Sequence, residues 1–169
     1  PRTLDHDRRR LTRAGAELLF APAVEEMYPR AEDAGTVVSV PGLSSILCGE
    51  FRPGHFDGVA SVVSRLFNIV QPDVAVFGQK DYQQLTIIRR LQADLHYPVA
   101  IVAGPTLREA DGLALSSRNQ YLSPAERRLA PVLYRAVSEC GDRLRAGARD
   151  YAALEAHGKA TLVAAGFRP

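Results

Sequence analysis

Two short polar stretches hold the residue types that could act on a phosphorylated ligand. In the first, Gly78-Gln79-Lys80-Asp81 follows the apolar run Val74 to Phe77 and continues into Tyr82-Gln83-Gln84. Lysine is a compact, mobile cation suited to phosphate oxygens. The run reads as a strand, a tight turn and a helix, and in open α/β sheets ligands bind beyond the carboxyl ends of the strands. Gln84 would sit one helical turn inside, facing the same crevice. The pattern also fits a connecting loop whose polar residues only face water. The second stretch, Ser116-Ser117-Arg118, combines two hydroxyls with a guanidinium. Hydroxyls and backbone amides donate to phosphate oxygens, and arginine binds them bidentately. Alone, this stretch is also what an ordinary serine-rich turn looks like. Paired with Lys80, it offers two cations from two loops that would straddle a polyphosphate and stabilise the charge that builds up in nucleotidyl transfer. Lys80 and Arg118 are therefore candidate transition-state stabilisers. The P-loop spacing is absent, so this is not that kind of nucleotide site.

Other polar residues carry less. Arg52 fits a surface or packing role as well as a place near phosphate. His55 reads first as a structural histidine of its loop. The four histidines, His6, His55, His96 and His157, have no metal-ligand spacing, so no metal site is assigned. Cys48 and Cys140 are the only cysteines, which points to a reducing cytoplasm rather than a disulfide scaffold. The 21 basic residues are interspersed with 19 acidic ones for a net charge of +2, so nucleic acid is not expected as a partner. No apolar run approaches the roughly 20 residues of a membrane span, and no signal-peptide pattern is visible. A membrane is not expected as a partner either. The 169 residues, 46% of them hydrophobic, are enough to bury a core of one domain or slightly more.

The elements that must position the two stretches follow from periodicity. Leu4 to Ala14 predicts a helix closed by Gly15. Glu17–Phe20 and Thr36–Val40 read as strands, and Val24 to Tyr28 as one helical turn stopped before Pro29. Leu43 to Gly58 is the longest irregular stretch. Val59, Val62, Val63, Leu66, Phe67 and Val70 fall on one helical face, giving a helix from about Gly58 to Val70 with Asp57 as its cap. The strand Val74–Phe77, a helix from about Asp81 to His96 and a strand Val99–Ala103 make a βαβ unit. Parallel pairing is expected, with strands buried on both faces. After Pro105 the character changes. Thr106 to Ser123 is polar. Ser123-Pro124-Ala125-Glu126 is a capping box. Leu129, Val132, Leu133, Ala136, Val137, Cys140 and Leu144 form one long apolar face. Asp150 caps a last helix, with Leu154, Thr161, Leu162 and Ala165 inward and Gly166 at its end.

The wording of three stretches is specific. Arg52-Pro53-Gly54-His55-Phe56-Asp57-Gly58, then Phe77-Gly78-Gln79-Lys80-Asp81-Tyr82-Gln83-Gln84-Leu85, then Arg108 to Asn119 occur in an order that closely resembles the pantothenate synthetase family, the pantoate–β-alanine ligases. The resemblance runs over nearly the whole chain. It implies an α/β fold: part of a Rossmann-like parallel sheet with flanking helices over 1–105, followed by the start of a smaller C-terminal α+β lid domain over 106–169. It implies ATP-dependent condensation of (R)-pantoate with β-alanine through pantoyl adenylate, with magnesium, in a cytoplasmic homodimer. On matching positions, Gly78, Gln79, Lys80 and Asp81 would bind ATP and Gln84 would hydrogen-bond pantoate. Leu107 would lie on the adenine side, and Leu115, Ser116, Ser117 and Arg118 would form the loop over the phosphates. Gln79 stands where many members carry glutamate. The family's HIGH-type motif, with its catalytic histidine, has no counterpart in these residues. The chain is therefore expected to be the middle of such an enzyme, inactive alone, and no catalytic histidine is assigned. Another adenylyl- or cytidylyltransferase on the same fold, or an inactive nucleotide-binding module, is the alternative.

Overall fold

The computed structural model of the chain describes residues 4–29 and 35–168; Pro1 and Pro169, where the sequence begins and ends, lie outside the described residues. The chain divides into two units on either side of the Pro105–Thr106 bond.

In the first unit, helix α1 (Leu4–Arg13) closes at Gly15, whose φ of +81° lets the Ala16 N–H reach back to the Leu11 carbonyl at 3.0 Å. Val24–Met27 is the expected single turn, α2. The two expected strands before residue 41 do not form. Glu17 to Phe20 is unpaired, with Leu18 and Phe20 exposed. Thr36 to Val40 keeps the alternation of a strand, with Val38 and Val40 packed inward and Val37 outward, but has no ladder. A strand needs a partner's backbone groups, and here a helix side chain supplies them instead. The Val38 N–H donates to Ser61 Oγ at 2.9 Å, and the Ser39 hydroxyl donates to Asp57 Oδ1 at 2.7 Å.

A single turn, α3 (Cys48–Phe51), interrupts the irregular stretch, and helix α4 runs from His55 to Val70. Its start lies earlier than the sequence suggested. Gly54, in the left-handed conformation, occupies the cap position, while Asp57 falls inside the first turn and is not the cap. Strand β1 (Val74–Gly78) leads through a 3-10 turn, Gln79–Asp81, into helix α5 (Tyr82–Asp94), and strand β2 (Ala100–Gly104) follows. The two strands pair in parallel, as expected of a βαβ unit.

The core of this unit lies between α4, α5 and one face of the sheet. Ala60, Ile87 and Ile88 are fully enclosed, with Phe56, Val63, Phe67, Leu91, Val40 and Val99 around them. Burying each large aliphatic chain contributes roughly 1.5–3 kcal/mol. Ala75, Phe77 and Ile101 point into this cluster. The other face of the sheet is not covered: Val76 remains 67% exposed and Val74 54%. The strands are therefore buried on one face, not two, because among the described residues nothing packs on the second.

The second unit begins with a turn joined by an antiparallel bridge between Arg108 and Ala114, then a 3-10 turn over Ser117–Tyr121. The single apolar face expected from Leu129 to Leu144 is split into α6 (Pro124–Leu129) and α7 (Pro131–Arg145). Pro131 has no N–H to continue the first helix. Helix α8 (Tyr151–Ala164) packs on α7 and is capped by Asp150, whose Oδ1 accepts from the Ala153 N–H at 2.9 Å. Leu154 is buried, Thr161, Leu162 and Ala165 are half-buried, and Gly166 ends the helix as expected. On α7 only Pro131 and Ala136 are buried, while Leu133 and Val137 stay exposed.

Candidate functional site

The register of the two strands sets the first cluster. Val74 pairs with Ala100, and four steps later Gly78 pairs with Gly104, so both strands end at opposed glycines. At Gly104 the Val76 side chain stands close, its Cγ1 3.4 Å from where a methyl group would lie, so the open position of this rim is Gly78. Gly78 has φ −70° and ψ 134°, a conformation open to any residue, and a methyl group there would meet nothing within 4 Å. Neither backbone geometry nor packing within the chain calls for glycine at this position. The space it leaves is of the kind a ligand needs to approach the backbone.

Gln79, Lys80 and Asp81 form the turn just beyond the rim, and all three are exposed. Asp81 precedes α5, and its carboxylate accepts no capping hydrogen bond from the helix N–H groups. The first N–H groups of α5 therefore lack side-chain partners next to Lys80, whose ammonium forms no ion pair among the described residues. Uncapped N–H groups, the positive end of the helix dipole and a free cation together favour an anion. Gln84 is half-buried in the first turn of α5, and its amide makes no hydrogen bond among the described residues. A cleft of about 290 Å³ lies at the amino ends of the strands, lined by Phe67, Asn68, Gln71, Tyr97 and their neighbours. It contains no cation, so the carboxyl-end rim is the better place for phosphate.

The second cluster belongs to the second unit. Leu107 is exposed, and its carbonyl accepts from the Leu115 N–H at 2.9 Å, across the foot of the 108–114 turn. Ser116 Oγ accepts from the Arg118 N–H at 3.2 Å and so shapes the start of the 3-10 turn. Ser117 and Arg118 are exposed, and Asn119 anchors the turn by donating to the Ala114 carbonyl at 3.0 Å.

Several residues that the sequence did not single out hold this loop. The Arg108 guanidinium lies 3.8 Å over the Tyr134 ring and donates to the Gly112 carbonyl at 3.1 Å. Gly112 has φ +94°, and a methyl group there would meet the Tyr134 ring at 2.5 Å, so both conformation and close approach require glycine. Asp111 accepts from Arg127 Nη1 at 2.5 Å and from the Leu113 N–H at 3.1 Å. The Arg127 hydrogen bond, followed by that of Leu113, holds the Asp111 carboxyl below the usual aspartate range, and Asp111 in turn raises Arg127. Ser123 and Glu126 close the expected capping box, with the Ser123 hydroxyl accepting from the Glu126 N–H at 3.3 Å. Its hydrogen bond back to Ser123 lowers Glu126. The pairing of Asp111 with Arg127 spans sixteen positions, and nothing in their spacing marks it.

Gln83 was also missed, though it stands beside Gln84. Its amide makes three hydrogen bonds to the backbone of residues 43–48. Arg52 is exposed at the end of α3, and His55 opens α4 with its ring tilted against Phe56, the centroids 4.9 Å apart.

The model of the family described as pantoate-beta-alanine ligase matches residues 1–168. A pantothenate synthetase of Pseudomonas putida (strain W619) is 60% identical over the whole chain, and one of Pseudomonas aeruginosa is 57% identical. Among solved structures, pantothenate synthetase from Thermus thermophilus superposes with a TM-score of 0.89 at 53% identity, covering 97% of this chain and 59% of that one. The pantoate-beta-alanine ligase of Francisella tularensis, complexed with beta-gamma ATP and beta-alanine, superposes with a TM-score of 0.74 at 34% identity over 80% of this chain and 51% of that one. The chain spans 59% of the length of the Pseudomonas putida relative.

Proposed function

The chain belongs to the pantoate–β-alanine ligase family, and we propose that its protein condenses (R)-pantoate with β-alanine at the expense of ATP. In the first step a carboxylate oxygen of pantoate attacks the α-phosphorus and pyrophosphate leaves, giving pantoyl adenylate. In the second, the amine of β-alanine attacks the acyl carbon, loses a proton and displaces AMP. The observation that carries the reading is the open space over Gly78 at the strand end, with Lys80 and the uncapped start of α5 beside it. The Francisella tularensis relative, complexed with an ATP species and β-alanine, supports it.

In this reading Gly78, Gln79, Lys80 and Asp81 bind ATP, and Lys80 neutralises charge as pyrophosphate departs. Gln84, whose amide has no partner among the described residues, hydrogen-bonds pantoate. Residues 1–105 are the remainder of the nucleotide-binding domain, and 106–169 the beginning of a lid. In the lid, Leu107 lies on the adenine side, and Leu115, Ser116, Ser117 and Arg118 form the loop over the phosphates, with Arg118 as the second stabilising cation. Magnesium would enter with the nucleotide. Among the described residues no group of three or more His, Cys, Asp or Glu could cage a metal, whereas Mg²⁺ is ordinarily held by substrate phosphates and one or two carboxylates. In this reading Asp81, exposed beside Lys80, would be available as one such carboxylate. A cytoplasmic homodimer completes the proposal. Among the described residues no helix is long and apolar enough to cross a membrane.

The test is pantoate-dependent ATP–pyrophosphate exchange by the protein expressed from its own gene. Lys80→Ala should slow adenylate formation by about 10²–10³, as losing a preorganised charge partner does elsewhere. Pantoate affinity should change far less. Adenylate formation by the variant at near wild-type speed would remove Lys80 from the chemistry.

A further inference from the structure

Gln83 is the second residue of α5, beside Gln84, and its side chain is committed to a different part of the chain. Nε2 donates to the Leu43 carbonyl at 2.9 Å and to the Ile46 carbonyl at 2.7 Å, while Oε1 accepts from the Cys48 N–H at 3.1 Å. A glutamine amide offers two donors and a carbonyl oxygen, and both donors are used on backbone lying 37–40 positions away. The Oε1 bond also satisfies the first N–H of α3, whose cap residue, Leu47, contributes no side-chain bond.

The segment held this way is tightly built. Leu47 has φ +50° and ψ −121°, a conformation that is strained for a residue with a side chain. Gly49 packs so closely on the preceding turn that a methyl group there would lie 2.0 Å from the Ser44 carbonyl oxygen. At its upstream end the segment is tied by the Ser44 N–H to the carbonyl of buried Val40. Gln83 holds it against the first turn of α5 along its length, at Leu43, Ile46 and Cys48. Gln83 and Gln84 are consecutive in the first turn of α5, so the segment fastened to Gln83 lies against the same turn from which the Gln84 side chain projects.

We propose that Gln83 is a positioning residue for the acid substrate: by fastening the Leu43–Cys48 segment to α5, it sets the wall of the pocket into which Gln84 projects. This rests on the pantoate reading given above. Glutamate could not replace it, because a carboxylate would face two carbonyl oxygens without a proton to give either.

Three measurements on the protein expressed from its own gene test the proposal. In the wild type, pantoate should slow hydrogen exchange of the backbone amides in 43–49, and ATP alone should not. In pantoate-dependent pyrophosphate exchange, Gln83→Glu should raise the KM for pantoate by about tenfold to a hundredfold, the scale of a small misplacement of a reacting group. The KM for ATP should stay within about twofold, the split expected when only one substrate's binding is touched. Gln83→Met, which keeps the shape without the hydrogen bonds, should move in the same direction by less. No pantoate protection of 43–49 would overturn the proposal, as would pantoate and ATP constants that move together or not at all. A wild-type protein that binds ATP without any pantoate-dependent exchange would instead overturn the ligase reading, and this inference with it.

Discussion

The two units keep their structure by different means. In the first, α4 and α5 close over one face of the β1–β2 pair and enclose Ala60, Ile87 and Ile88 completely. In the second, the α7–α8 hairpin buries little more than Pro131, Ala136 and Leu154, and Val137 is 61% exposed on the same stripe. Polar fastenings hold it instead: the capping box at Ser123, the Asp150 cap, the Asp111–Arg127 pair and Arg108 over Tyr134. The lesson is that an apolar helical stripe specifies a helix, but only a partner surface turns the stripe into a core. Where no partner is described, caps and ion pairs decide the local conformation.

Substitutions should separate the two regimes. The largest effect belongs to the first unit. Ile88→Ala should destabilise it by about 2–5 kcal/mol, the range for deleting a fully enclosed aliphatic chain, whereas Val137→Ala should stay within about 0.5 kcal/mol because most of that side chain is already in water. Chemical denaturation followed by a probe in each unit checks this, and equal effects would erase the contrast.

Next in size is the N-cap of α6. Ser123→Ala should cost about 1 kcal/mol, visible as faster amide exchange over α6 and with no change in the first unit.

The smallest effect is one of pH. The folded pKa of Asp111 is depressed, so its contribution is present above the unfolded aspartate value and fades as pH falls through the lower folded value. Protection of the amides in 108–114 should therefore decline in acid below the ordinary aspartate range. Asp111→Asn should weaken that turn already at neutral pH and flatten the acid response. A wild-type response that survives the substitution would assign it to another group.

How much could be read in advance differs between the same regions. The βαβ unit was legible because its signals are local: β-branched runs, helical spacing and Pro or Gly at the breaks. So were the Ser123 and Asp150 caps and the Gly15 and Gly166 ends, each decided within one turn of chain. The missing strands at Glu17–Phe20 and Thr36–Val40 were not legible, since composition shows that a segment can extend but not whether a neighbour will pair with it. The split at Ala130–Pro131 was readable and was overridden by an apolar spacing that continues across it. At the site, the turn Gly78–Asp81 announced itself by residue type. The fastenings of Gln83 and Asp111 did not, because both reach across many positions and depend on the fold that brings their partners near.

The β1–β2 ladder has a practical consequence for anyone refolding these 169 residues by themselves. Each strand pairs only with the other among the described residues, so each has an outer row of backbone groups without a ladder partner, and Val74 and Val76 lie bare on the sheet's open face. Such an edge recruits whatever extended chain is nearest. At high concentration that neighbour is another molecule, and productive folding then competes with a bimolecular reaction. Recovery should improve on dilution in a way that a closed barrel of the same composition would not show.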